Sequence, residues 1–118
     1  KEYPKCLLIR DALAKIYRHR SQWSDAGMTY YGGYDGDQSI RWVLLEAGRN
    51  FIRGENLAEA EASFLTYLSS SPPDSGAAQA HLELSRVYHR KGDPSLSQKE
   101  REQAIKLDPE LRNSPIEN

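Results

Sequence analysis

The strongest constraint on the fold of this chain is a register that recurs along the sequence. Aromatic residues stand at Tyr17, Phe51 and Tyr88, separated by 34 and then 37 residues. The same two spacings recur in three further sets: Leu13, Ala47 and Leu84; Ala14, Gly48 and Ser85; Ala26, Ala60 and Ser97. Self-similarity at a period of about 20 to 50 residues is typical of repeat proteins, whose units pack mainly on their neighbours. We therefore expect three copies of one structural unit within the 118 residues.

The second unit has the pattern of two helices joined by a short turn. Apolar residues in 42–52 recur at the helical spacing of three and four, and Gly54 is expected to end this first helix. Asn56 is a suitable N-cap for a second helix over 57–68, because its side chain can accept a hydrogen bond from the first helical turn. The unit is thus predicted to be a helix–turn–helix.

The other two units fit the same description. In the third, Asp93 followed by Pro94 is a typical helix start, placed between helices predicted over 77–91 and 95–107. In the first, several glycines lie in or after the second helix, and glycine destabilises a helix interior by about 1 kcal/mol. We therefore expect this helix to end near Tyr31.

These features resemble the tetratricopeptide (TPR) repeat, a helix–turn–helix unit of about 34 residues. The likeness is densest in residues 78–111, which carry the residues typical of the family at Leu84, Ser85, Tyr88, Gly92, Asp93, Ala104, Leu107, Asp108 and Pro109. Residues 7–40 and 41–74 match less completely, and 112–118 form a tail. The resemblance implies a single all-α domain over 1–118, with the repeats stacked in a right-handed superhelix, an α-solenoid. It also implies a concave groove lined by the first helix of each unit.

Charge is distributed unevenly in a chain whose net charge is only −1. The predicted first helices, 7–20, 41–54 and 78–91, carry +3, +2 and +2, which leaves −8 for the rest of the sequence. A concave surface lined by one sign of charge attracts ligands of the opposite sign. We therefore expect a non-catalytic protein–protein interaction module that binds an acidic peptide segment or C-terminus.

The resemblance also assigns positions to this groove. The predicted partner-binding residues are Lys15, Arg18, Trp42, Leu45, Arg49, Arg53, Leu82, Arg86 and Arg90. Arginine suits bidentate binding of carboxylates, while the tryptophan and the two leucines are expected to contact apolar side chains of the ligand. Two alternatives stay open. Basic residues also favour the last turns of helices, and Trp42 is equally suited to packing.

A tyrosine-rich segment over 30–38 is the most unusual stretch of the chain. Tyr31 and Tyr34 could contact a partner there, since tyrosine provides a large contact area at low entropic cost, although a simple linker is the favoured reading. Asp35 and Asp37 do not complete a calcium site, because the later carboxylate of such a loop is missing. We expect Trp23 and Cys6 to serve packing.

No enzyme is predicted, because no phosphate loop, catalytic triad or paired carboxylates stand out, and no cofactor or metal site is expected. No stretch approaches the roughly 18 apolar residues of a membrane span. Nucleic-acid binding is disfavoured by the net charge of −1. We favour a cytoplasmic location, and the single cysteine does not determine the compartment.

Two rival roles remain besides nucleic-acid binding. The repeats could serve assembly or self-association within a larger protein, including a homodimer through the terminal helix. They could also be an accessory domain of a multidomain enzyme. Repeat stacks need polar ends, and the very polar segment 95–107 is expected to cap its own end of the stack.

Overall fold

The computed structural model describes residues 5–34, 40–70 and 75–114. The side chain of Cys6 and the loop residues Asp35 and Asp37 lie outside the described residues. In the described part of the chain there are no strands. Its six α-helices are α1 (Lys5–His19), α2 (Trp23–Tyr31), α3 (Trp42–Arg53), α4 (Leu57–Ser69), α5 (Ser75–Arg90) and α6 (Pro94–Leu107). A short 3₁₀ helix, Pro109–Asn113, follows them.

The helices form three helix–turn–helix units stacked in chain order. Each helix packs on the one before it, so that α3 lies between α2 and α4, and α5 lies between α4 and α6. The molecule measures 40 × 30 × 21 Å, and its shortest dimension is about two helix diameters. A stack of this thickness has much surface for its volume, which accounts for a mean hydropathy of −0.76. The predicted all-α helical repeat is confirmed.

The turn inside each unit has the same backbone geometry. Ser21, Glu55 and Gly92 adopt φ values of 59°, 62° and 84°, and they stand at the 34- and 37-residue spacings of the sequence. The next residue in each turn donates its backbone N–H to the carbonyl of the aromatic residue five positions earlier. These bonds join Gln22 to Tyr17 at 2.8 Å, Asn56 to Phe51 at 2.8 Å, and Asp93 to Tyr88 at 2.9 Å. The repeated register is therefore present in the backbone.

Two helices begin where the sequence predicts, but the side chains that precede them make different hydrogen bonds. Asp93 caps α6 as predicted, since its Oδ1 accepts a 3.1 Å hydrogen bond from the N–H of Leu96. Asn56 stands at the predicted start of α4, but its side chain makes no capping bond. Its Oδ1 instead accepts a hydrogen bond from the hydroxyl of Ser24 in the preceding unit. The expected capping role of Asn56 is wrong, and its side chain joins two units.

Close packing between helices requires glycine at two positions. A Cβ built on Gly27 would lie 2.7 Å from the ring of Phe51, and one on Gly48 would lie 2.4 Å from the ring of Phe64. Real Cβ atoms do not approach a ring so closely, so a side chain at either position would push two helices apart. Helix α2 ends at Tyr31 as predicted, and Gly27 is needed within it for contact with the next unit.

The C-terminal end of the stack is closed by the 3₁₀ helix. Leu111 is buried there against Ala78, Leu82 and Ala104. Arg101 donates hydrogen bonds of 2.7 Å to the carbonyl of Arg112 and 2.8 Å to that of Ser114. The sequence predicted that the polar α6 would cap the stack by itself. In the structure the segment after α6, partly assigned to a tail, completes the cap.

Candidate protein-binding surface

An open cavity of about 250 Å³ lies between α3 and α5, the first helices of the second and third units. Its lining residues are Arg49, Ile52 and Arg53 from α3, and Glu83, Arg86 and Arg90 from α5. Four of these are predicted partner-binding arginines. The spacing of 34 and 37 residues places them together because equivalent positions on neighbouring first helices face the same side of the stack.

Glu83 lies at the centre of this cavity and is buried, with 6% of its surface exposed. One carboxylate oxygen accepts a 2.9 Å bond from Arg49 Nε, and the other accepts a 2.9 Å bond from Arg86. Arg49 also contacts Glu46, one helical turn earlier, at 3.2 Å. Arg49 and Arg86 are therefore held in fixed positions by carboxylates of the chain itself. The charge count of the sequence did not anticipate this pairing.

The other two arginines lie at the open end of the cavity. Arg90 donates to the carbonyl of Ile52 at 3.3 Å and contacts Glu55 at 3.2 Å. Arg53 is exposed, and its guanidinium carbon lies 5.4 Å from the centre of the Trp23 ring. A cation at this distance is attracted by the face of the ring. Trp23, assigned to packing in the sequence, thus contributes to this surface.

A second depression, of about 260 Å³, continues the surface towards α1. It is lined by Lys15, Arg18, His19 and Trp23, so the tryptophan borders both depressions. Lys15 contacts Asp11 at 3.1 Å, with 66% of the lysine side chain exposed. Within the described residues, the buried Nε of Arg18 has no hydrogen-bond partner. A buried N–H without a partner costs free energy in the folded state.

Three predicted binding residues lie elsewhere. Leu45 is 9% exposed and belongs to the main core, and Leu82 is 2% exposed under the 3₁₀ helix. Their expected contact with a ligand is corrected, because both side chains are covered by the chain itself. Trp42 is half-buried against the core, with its ring centre 6.2 Å from that of Tyr30 in an edge-to-face arrangement. The packing alternative therefore describes Trp42.

The two candidate tyrosines are also separated from the cavity between α3 and α5. Tyr34 is half-buried against the core. Tyr31, 38% exposed, borders an apolar pocket of about 320 Å³ on the side formed by the second helices, together with Met28, Phe51, Glu59 and Ala62. A contact role for Tyr31 stays a prediction and concerns a different face.

Two tyrosine–carboxylate pairs join helices of the stack. Tyr30 donates to Asp11 at 2.6 Å, and this bond is the main cause that lowers the pKa of the Asp11 carboxyl. Glu61 of α4 accepts bonds of 2.7 Å from Lys91 and from Tyr88. The lysine first and the tyrosine second lower the pKa of Glu61. Both carboxylates thus stabilise the stack in their ionised form.

Among the described residues, no group of three or more histidine, cysteine, aspartate or glutamate side chains is placed to hold a metal ion. Within the same residues, no helix combines the length and the apolar character needed to cross a membrane. Neither the models of known protein families nor the curated proteins contain a match to the chain.

Sequence reasoning missed two features of this surface. Trp23 opens a second helix, a position assigned to packing, and only the three-dimensional arrangement brings it beside Arg53. The sequence places Glu46 and Glu83 at one register position near the predicted groove, and these acidic residues argue against a terminal-carboxylate clamp there. It does not show that Glu83 pairs with both Arg49 and Arg86.

Proposed function

We propose that this chain is a TPR-like, non-catalytic interaction module that binds an acidic peptide segment or C-terminus on its concave surface. The observation that carries the proposal is the cluster of four arginines around one cavity between α3 and α5. Together with Glu83 these lining residues have an excess of three positive charges. Glu46 and Glu55, which contact Arg49 and Arg90 from outside the lining, reduce this excess to one.

The internal ion pairs distinguish fixed cations from exposed cations on this surface. Arg49 and Arg86 are positioned by the buried Glu83 and form a rigid floor. Arg53 and Lys15 are the more exposed cations and are available to an incoming carboxylate. Ile52 and the ring of Trp23 offer apolar contact beside them. Such a combination of fixed donors and apolar surface suits an extended or helical acidic peptide.

The test follows from this division. Reversing the charge of Arg49 and Arg86 would leave the buried Glu83 among new carboxylates, and an unpaired buried charge destabilises the fold strongly. The sharper variant is Lys15→Glu/Arg53→Glu, which changes exposed side chains. Its matched control is Lys99→Glu/Lys106→Glu, with the same charge change on exposed residues of α6. Circular dichroism verifies that both variants retain the helical content of the wild type.

Proteins captured by the immobilised wild-type chain are identified, and the acidic segment of a captured protein is then titrated as a peptide. We expect Lys15→Glu/Arg53→Glu to weaken peptide binding about tenfold or more, with steeper salt dependence in the wild type. The α6 control should change it less than about threefold. Equal affinity of all three proteins would overturn the proposal.

An assembly role is the second candidate, and one observation favours it. Helix α1 exposes a row of large apolar side chains along its outer face.

A further inference from the structure

The outer face of α1 is apolar and exposed. Ile9, Leu13 and Ile16 are 67%, 39% and 51% exposed. They follow one another at spacings of four and three residues, so they form a single stripe along the helix. Surface patches of this kind on a soluble domain mark sites of association more often than isolated apolar residues do.

The repeat itself indicates what covers such a stripe. The residues at the same register in α3 are Val43, Ala47 and Asn50, all at most 1% exposed. In α5 the equivalent residues Ala80, Leu84 and Val87 are completely buried. Helices α3 and α5 each pack on the second helix of a preceding unit, whereas no helix precedes α1 within the described residues. The uncovered stripe of α1 therefore has the position and character of a surface that receives a helix.

The charges of the second helices indicate which kind of helix would dock on this stripe. The two second helices that receive a following unit, α2 and α4, contain Asp25, Glu59 and Glu61 and no lysine or arginine, whereas α6 contains Lys99, Arg101 and Lys106. Glu55, in the turn before α4, contacts Arg90 of α5, and Glu61 of α4 contacts Lys91 just after α5. The register equivalents of these two cations on α1 are His19 and Arg20, both exposed.

We propose that the outer face of α1 is a second binding surface, which docks an acidic amphipathic helix in the manner in which α5 receives α4. The stripe supplies the apolar contact, and His19 and Arg20 select carboxylates near one end of the docked helix. A second copy of this chain fits less well, because α1 has a single acidic residue, Asp11, among several basic ones. Two such helices would repel each other. His19 also borders the depression lined by Lys15, Arg18 and Trp23, so the two surfaces meet at this residue.

The probe for the experiment is a labelled, end-blocked peptide with the sequence of residues 55–70, which covers α4 and carries three glutamates and no basic residue. Its binding to the full chain is followed by fluorescence anisotropy. The test variant is Ile9→Gln/Ile16→Gln, which removes apolar surface from α1 and adds no charge. The matched control is Met28→Gln/Leu65→Gln, which changes two residues 59% and 47% exposed on other helices.

We expect the α1 variant to weaken peptide binding about tenfold or more, and the control to change it less than about twofold. A peptide with Glu55→Gln and Glu61→Gln should bind more weakly than the parent peptide and with less dependence on salt. Circular dichroism of both protein variants excludes loss of folding as the cause.

Three results would overturn this inference, and they separate it from the proposed function. Absence of peptide binding would mean that the stripe does not receive an acidic helix. Binding lost in Lys15→Glu/Arg53→Glu but kept in Ile9→Gln/Ile16→Gln would place the peptide on the concave surface. Sedimentation showing a dimer that the α1 variant converts to a monomer would identify a second copy as the occupant.

Discussion

The first and last helices of the described chain differ in how their outer faces are covered. At the C-terminal end, α6 is polar, and the 3₁₀ helix covers the remaining apolar surface with Leu111. At the N-terminal end of the described chain, α1 exposes Ile9 and Ile16 at register positions that are buried in the two later units. Burial of a residue in a repeat protein is thus decided by its place in the stack as well as by its register.

This contrast gives physical meaning to exposed apolar residues that would otherwise be unremarkable. The surface of any soluble protein contains scattered apolar side chains, and single ones need no explanation. Here the two later units act as internal references, because they contain the same positions with a neighbour in place. The difference between the ends is therefore a difference in neighbours, and it can be tested by substitutions matched across the molecule.

The largest effect is expected from Leu111→Ala compared with Ile16→Ala. Leu111 is 9% exposed in the C-terminal cap, and removing a buried leucine side chain destabilises a protein by about 2 to 3 kcal/mol when the site relaxes partly. Ile16 is 51% exposed, so its truncation should change the free energy of unfolding by less than about 0.5 kcal/mol. Urea unfolding measures both. Similar values for the two variants would contradict the assignment of a closed and an open end.

A smaller effect is expected from Arg101→Ala compared with Arg20→Ala. Arg101 holds the 3₁₀ helix through two carbonyl groups, so its loss should destabilise the chain by about 1 kcal/mol and speed amide hydrogen exchange in residues 109–113. Arg20 is exposed beside α1, and its replacement should change stability by less than about 0.5 kcal/mol. Unchanged exchange rates in the Arg101 variant would contradict the capping role.

The smallest effect is expected in the pH dependence of the unfolding free energy at low pH. It concerns the contact of Glu61 in α4 with the end of α5. The bonds from Lys91 and Tyr88 hold the pKa of Glu61 below its ordinary value of 4.5. Above pH 4.5 the Glu61 carboxyl is ionised in both the folded and the unfolded state, so the full stabilisation by these bonds is present. It is lost as the pH falls through the lowered pKa of the folded state. We therefore expect the free energy of unfolding to decrease below about pH 4.5.

The variant Glu61→Gln removes this titrating group and should flatten the pH dependence of the unfolding free energy in that range. Glu59→Gln, an exposed position on the same helix, is the matched control and should retain the slope of the wild type. An equal slope in the Glu61 variant would assign the acid sensitivity to other carboxylates, of which Asp11 is one.

Most of the fold could be predicted because helical repeats place their determinants close together in sequence. The period of Tyr17, Phe51 and Tyr88 fixes the turns, and local signals such as Asp93 before Pro94 fix helix starts. Local signals failed where a side chain bonds outside its own helix. Asn56 has the residue type of a cap, yet it bonds Ser24 from the neighbouring unit.

The candidate site was predicted less completely, for a related reason. Register places Arg49, Arg53, Arg86 and Arg90 on one face, and the structure brings them around one cavity. Register does not specify that Glu83 reaches between two of them, because that depends on side-chain geometry across helices. Net charge per segment also gave equal weight to cations that are paired and cations that are exposed.

We propose that acidic ligands bind through the exposed cations Lys15 and Arg53. The most direct measurement is a nuclear magnetic resonance titration of the isotope-labelled chain with a short peptide of glutamate and leucine, following the arginine Nε–H signals. We expect the Nε–H signal of Arg53 to shift together with backbone amides of α1 and α3, while those of α6 stay in place. Shifts confined to α2, α4 or α6, or no shift at all, would contradict it.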